Sequence, residues 1–154
     1  MSKAQRQNGM ATNFGILYGK KESNVSDERK YNITVTETQA ELLVCALDLY
    51  SRIGIGQFEE VASVYDPARK LENWDSIHTL LLAAKEEAGH PRNGSHGIMN
   101  PKVRDVFRAA YDLQQVIRHK VAWSRNPEGS ILVHHDTPHQ TSEKVPLATI
   151  TEVK

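Results

Sequence analysis

Between positions 101 and 123 apolar side chains return at every third or fourth residue, a spacing that commits the middle of the chain to a long amphipathic helix. Val103, Val106, Phe107, Ala110, Leu113, Ile117 and Val121 share one side of it, and that side is expected to be buried. Arg104, Arg108, Tyr111, Gln115 and Arg118 keep the same spacing on an adjoining stripe, while Asp105, Asp112 and His119 fall on a third. Asn100 can accept from the first free backbone N–H groups, and Pro101 has the fixed φ that suits a first turn, so the sequence predicts a helix starting near Pro101.

Ahead of this helix Arg92, Asn93, Gly94, Ser95, His96 and Gly97 place two glycines among four hydrogen-bonding side chains. Both members of Asn93-Gly94 tolerate positive φ, which marks a turn. A polar loop feeding a helix N-terminus suits an anion, because free backbone N–H groups and the helix dipole both favour negative charge there. The plainer reading of the same composition is a surface turn.

Elsewhere Tyr31, Ile33 and Val35 alternate with Asn32, Thr34 and Thr36, the period of a half-buried strand. Thr36 and Gln39 have the spacing of a capping box, and Leu42, Leu43, Ala46, Leu47, Leu49, Tyr50 and Ile53 give an apolar face to a first long helix over 37–53. On its other side Arg52 follows Asp48 by four residues, the spacing of a surface ion pair. Gly54 and Gly56 interrupt the helix; another is expected over 57–65, ended by Pro67. A third is predicted over 76–88, capped by Asp75 or Ser76 and closed by Gly89 in the left-handed position. After a turn at Asn126-Pro127 and Gly129, positions 131–135 and 146–150 read as strands. Residues 1–29 offer little to bury beyond Phe14, Ile16, Leu17 and Tyr18, and are expected to be a flexible leader to a single domain over 30–154. The expected fold class is α+β, with three to four helices packed on a small, mainly antiparallel sheet.

A chain of 154 residues is long enough for one real core. Its 19 basic and 19 acidic residues cancel, so no global field draws it to a nucleic acid polymer or to anionic lipid, and any anion site must be local. No apolar run approaches the ~20 residues that cross a bilayer. The single cysteine, Cys45, excludes an intrachain disulfide framework and lies in an apolar helix, where packing is its ordinary role. With no apolar signal segment at the N-terminus, the expectation is a cytoplasmic protein.

His134, His135, Asp136 and His139 are the residues nearest to a metal set, yet on a strand His135 points opposite to His134 and Asp136, and no His-x-x-x-His or Cys-x-x-Cys pair supports them. Their plain reading is exposed histidines whose charge follows pH. Neither a nucleophile elbow, a P-loop nor a dinucleotide fingerprint is present. What remains is arginine: Arg52 at the end of the first helix, Arg92 beside Asn93 in the loop, and Arg104, Arg108 and Arg118 on the central helix. A guanidinium binds phosphate oxygens two at a time and keeps its charge when partly buried, so arginines in a neutral protein point to a small phosphorylated ligand. Paired, solvated helix faces are the alternative for each arginine taken alone.

Three segments, ALDLYSRIGIGQFEEV over 46–61, RNGSHGIMNPKV over 92–103 and YDLQQVIRHKVAW over 111–123, carry a resemblance. Across roughly 33–150 the chain resembles the first type of Thoeris anti-defence proteins of tailed phages, sponges that sequester cyclic ADP-ribose-type immune signals. The resemblance implies an α+β protomer assembled as a dimer or a larger ring such as a hexamer, without turnover or cofactor, holding a nucleotide signal between subunits in the host cytoplasm. It implies Arg52 and Arg118 as phosphate contacts and Arg92 and Asn93 as polar loop contacts. The planar position that stacks the base would be His96, a smaller surface than the aromatic expected there. Two other functions fit the residues: an oligomeric phage protein that blocks a host protein, and a small metal-dependent nuclease or hydrolase using the late histidines.

Overall fold

The computed structural model describes residues 29–153, so the leader assigned to 1–29 lies, except for Arg29, outside the described residues. The chain divides into two compact units between Ile33 and Thr34. In the first, residues 29–33 have no regular secondary structure, and Tyr31 and Ile33 are exposed. The second holds, among the described residues, four α-helices, α1 (Glu37–Gly54), α2 (Glu60–Tyr65), α3 (Trp74–Glu87) and α4 (Asp105–Arg125), followed by a 3₁₀ turn at Val133–His135.

The capping box forms: Gln39 N–H donates to Thr36 Oγ1 at 3.3 Å and Thr36 N–H to Gln39 Oε1 at 2.8 Å, which fixes the first turn of α1. From there α1 runs antiparallel to α4. At one end the Arg125 guanidinium pairs with Glu37 and Glu41; at the other Gly54 meets the Phe107 ring. A Cβ on Gly54 would lie 2.1 Å from Phe107 Cγ, so the helices approach this closely only because the side chain is absent. Gly54→Val is expected to lower stability by about 1–3 kcal/mol, the cost of overpacking a filled contact. Thermal unfolding checks this; an unchanged midpoint would mean that the ring swings aside freely.

Along α4 the apolar stripe is covered as expected at Val103, Ala110 and Ile117 and half covered at Val106, Phe107, Leu113 and Val121. The polar stripes depart from the solvated picture, since Arg108 and Asp112 are also buried, as is Gln114 outside both stripes. Residues 137–148 form a strap across them. Asp112 accepts from Thr141 N–H with both oxygens at 2.9 Å, from Thr141 Oγ1 at 2.7 Å and from Ser142 N–H at 2.8 Å. Two helical turns earlier, Asp105 accepts from Ser142 Oγ at 2.8 Å, Glu143 N–H at 2.7 Å and Lys144 N–H at 3.1 Å. Arg108 completes the junction, donating to Glu143 Oε1 at 2.9 Å and to the Asn100 carbonyl at 3.1 Å. The strap then lays Val145, Pro146 and Ala148 beside Leu47, Tyr50, Val106, Ala109 and Leu113 around an apolar groove of about 320 Å³.

The α+β class is overturned: among the described residues half the expectation stands, the helices, and no strand is present. At Tyr31, Ile33 and Val35 the period of two is real, but an alternating segment becomes a strand only where a second backbone offers ladder bonds. Positions 131–135 turn instead, because Ser130 Oγ accepts from Leu132 N–H at 3.2 Å and contacts His135 Nδ1 at 2.9 Å, while His135 N–H donates to the Leu132 carbonyl at 2.9 Å. Positions 146–150 continue the strap without a ladder. Helix starts also shift. Asn100 Oδ1 accepts from Lys102 N–H at 2.9 Å, closing a turn of its own, so α4 begins at Asp105 and not near Pro101. Helix α3 starts at Trp74 behind Asn73 instead of Asp75 or Ser76, and α2 starts at Glu60 after a turn through Phe58 and Glu59. Gly89 has φ +84° just past α3, the left-handed closure expected of it.

Candidate functional site

The end of α1 and the loop over 92–97 are brought together by backbone geometry. Gly56, buried with φ +88°, turns the chain out of α1, and Ile55 presents its carbonyl to His96 N–H at 2.8 Å. Side chains extend this link. Arg52 Nε donates to Asp48 Oδ2 at 2.6 Å, Arg52 Nη1 donates to Gln57 Oε1 at 3.1 Å with Glu60 at 3.5 Å, and Gln57 Nε2 donates to Ser95 Oγ at 3.4 Å. The bond to Asp48, offset by burial and reinforced by the Asp48 and Glu60 charges, raises the Arg52 pKa, so its charge is fixed. Arg52 and the His96 loop therefore share one site, joined through Gln57 and Ser95.

Behind the loop three rings stand in a row. Phe58 and His90 have centroids 5.7 Å apart, and His90 and His96 are 5.2 Å apart. The His90 ring presses on Gly56, where a Cβ would come within 2.6 Å of Nδ1; that nitrogen is covered and has no hydrogen-bond partner among the described residues. Beside it Lys85, 1% exposed, donates to both carboxylate oxygens of Glu59 at 3.3 and 3.4 Å. Burial first, then the charges of His96 and Lys85, lower the His90 pKa.

The other candidates go elsewhere. The Arg92 guanidinium donates to Glu86 at 2.7 Å on the last turn of α3, and Asn93 is exposed beside it. Arg118 lies eleven positions after Phe107 on α4, about 16 Å along the axis from the Gly54 end of α1 at the helical rise. There it lines a second groove, of about 420 Å³, with Glu41, Val44, Cys45, Val121, Ala122, Arg125 and His134. Arg125 is committed to Glu37 and Glu41, whereas among the described residues no carboxylate pairs with Arg118, and its Nε is covered without a partner. Gln114 Oε1, one turn earlier, is likewise covered and unbonded.

The late histidines are dispersed. His134 lines the Arg118 groove, the His135 ring lies edge-on to Trp123 at 5.0 Å, and His139 offers its carbonyl to Gln115 Nε2 at 3.3 Å. Among the described residues no three His, Cys, Asp or Glu side chains are grouped to hold a metal ion. Compared with known proteins, the chain matches no protein-family model, no curated protein and no solved structure. No helix among the described residues is long and apolar enough to cross a membrane.

Sequence reasoning missed Gln57, Ser95 and His90 as parts of the Arg52 site. A signal existed for His90: Gly89 ends α3 in a left-handed turn, which fixes where the next side chain goes. Nothing local marks Gln57 as the link to a loop 38 residues away.

Proposed function

We propose that this chain is a phage anti-defence sponge that binds a small cyclic nucleotide-type signal and sequesters it uncleaved. The observation that carries the reading is Arg118, a guanidinium with no carboxylate partner among the described residues and a covered, unbonded Nε, set in a groove of a size that takes part of a nucleotide. Its counterpart is the Arg52 and His96 site at the opposite end of the helix pair. A rigid ligand of nucleotide size cannot reach both in one protomer, so a second copy brings one protomer's Arg118 to the other's Arg52. Surface supports that assembly. Among the described residues the covered apolar side chains are small or medium, Ala40, Ala62, Val103, Ala110 and Ile117, whereas Leu42 (69%), Tyr65 (77%) and Leu80 (69%) stand exposed.

The test is capture and release. The protein is incubated with cyclic ADP-ribose as probe or with a signal-containing lysate, freed of unbound nucleotide and heat-denatured. Intact nucleotide in the supernatant is the expected result. A hydrolysed product would make it an enzyme, and no nucleotide at all would favour a protein that blocks a host partner. Light scattering is expected to give a multiple of the 17.3 kDa chain, and a monomer at micromolar concentration would remove the shared site.

A further inference from the structure

The row Phe58, His90, His96 is more than packing, because its middle ring can take a proton only at a cost: His90 Nδ1 is covered and unbonded among the described residues. Resting on the reading that His96 faces the ligand, we propose that His90 is a positioning residue and a proton gate. Uncharged, its ring holds His96 against the end of α1; protonated at Nδ1, it breaks the row and releases the loop over 92–97. The geometry leaves a proton at that atom nowhere to bond. Nδ1 is covered beside Gly56 and has no acceptor among the described residues, so a new N–H there would be buried and unsatisfied. The groups that face it add to the cost. His96 approaches from the loop at 5.2 Å, and the buried Lys85 approaches from α3, its charge shared with Glu59. Further off, Arg52 and Asp48 of α1 and Glu60 of α2 largely neutralise one another and reach the loop through Gln57.

The loop has few other ties. Arg92 ties its start to Glu86 on α3, and toward the end of α1 it is held by the His96 N–H bond to Ile55 and the long Gln57 to Ser95 contact, so losing the ring row leaves the His96 part of the loop weakly held against α1. The lowered His90 pKa gives the sign: the row is intact at neutral pH and loosens as pH falls below the ordinary histidine value of 6.5. A ligand held by His96 is then discharged in acid without any change at Arg118.

Two ligand-free measurements test this. Imidazole NMR titration of the full chain is expected to place His90 below an ordinary histidine, and His96→Gln is expected to move it back upward by removing one facing charge. Amide exchange at His96, corrected for its intrinsic pH dependence, is expected to lose protection by about tenfold as pH falls through the His90 transition. In His90→Phe, which keeps a ring in the row but takes no proton, protection should stay flat over the same range. Equal pH profiles in wild type and His90→Phe would overturn the proposal, as would a His90 titration unmoved by His96→Gln. Should His90→Phe fail to fold, the His96→Gln titration decides alone. Because no nucleotide is present, failure here is distinct from failure of cyclic ADP-ribose capture at neutral pH, which would remove the sponge reading and leave the gate standing.

Discussion

Asp112→Ala is expected to free the strap from α4 and to cost about 3 kcal/mol of stability. The carboxylate is 2% exposed and takes bonds from two backbone amides and one hydroxyl. Removing it strands Thr141 N–H and Ser142 N–H, at roughly 1–3 kcal/mol for each buried group left unmade, less whatever water recovers once the strap lifts. The loss is local in origin but not in consequence, because the lifted strap also uncovers the groove lined by Leu47, Tyr50 and Leu113. Asp112→Asn keeps one acceptor oxygen but turns an amide NH₂ toward donor groups, and is expected to recover only part of the stability. Urea unfolding gives the size, and amide exchange at Thr141 and Ser142 gives the place; unaltered protection there would show that Asp105 and Arg108 hold the strap without it. Asp105 adds an acid limit. Burial pushes its pKa up, but the bonds from Glu143, Ser142 and Lys144 and the Arg108 charge outweigh burial, so the net shift is downward. A depressed carboxylate stabilises the fold above the unfolded carboxyl value near pH 4, and that contribution is lost as pH falls through the lower, folded value.

This strap also shows where the sequence stops being legible. Helices α1 and α4 could be read because their evidence is local: a capping box, a 3.6-residue period, an Asp48–Arg52 spacing that the structure fills at 2.6 Å. Asp105 and Asp112 looked like a solvated stripe because their partners are 29 to 39 residues away and, two hydroxyls aside, are backbone N–H groups, which every sequence supplies and no side-chain pattern announces. The expected strands failed for the complementary reason. Alternation of Tyr31, Ile33 and Val35 records a preference of side chains, whereas a sheet needs a neighbour, and the pattern carries no information about one. At the site the same division holds. Arg52 was named from its place at a helix end and His96 from its glycine-flanked loop, and the turn at Gly56 brings the two segments together. Arg92 pairs with Glu86, a contact no local pattern announced, because a guanidinium in a loop reaches whichever carboxylate is nearest.

Arg118→Ala is expected to weaken capture of the nucleotide probe by on the order of 2 to 5 kcal/mol, the usual penalty for truncating one partner of a covered, charged hydrogen bond. The expectation follows from its surroundings. Arg125 shares the groove but is held by Glu37 and Glu41, so its charge is already matched. Arg118 has no such partner among the described residues, and its Nε is covered beside the apolar wall of Val44, Val121 and Ala122, where a charge-assisted bond is stronger than in open water. A phosphate placed there would satisfy the guanidinium and meet no nearby uncompensated carboxylate. Arg118→Lys should recover part of the loss, since an ammonium restores the charge but not the planar pair of donors. If Arg118 were only a surface arginine, its removal would change stability by less than about 0.5 kcal/mol and leave binding alone. Calorimetric titration of the folded Arg118→Ala protein with cyclic ADP-ribose separates the two outcomes by well over tenfold in affinity. Light scattering on the same sample must show the wild-type assembly, because a ligand shared between copies would also be lost if the copies came apart. Wild-type affinity in an intact assembly would return Arg118 to the surface and leave the Arg52 and His96 site without its second phosphate contact.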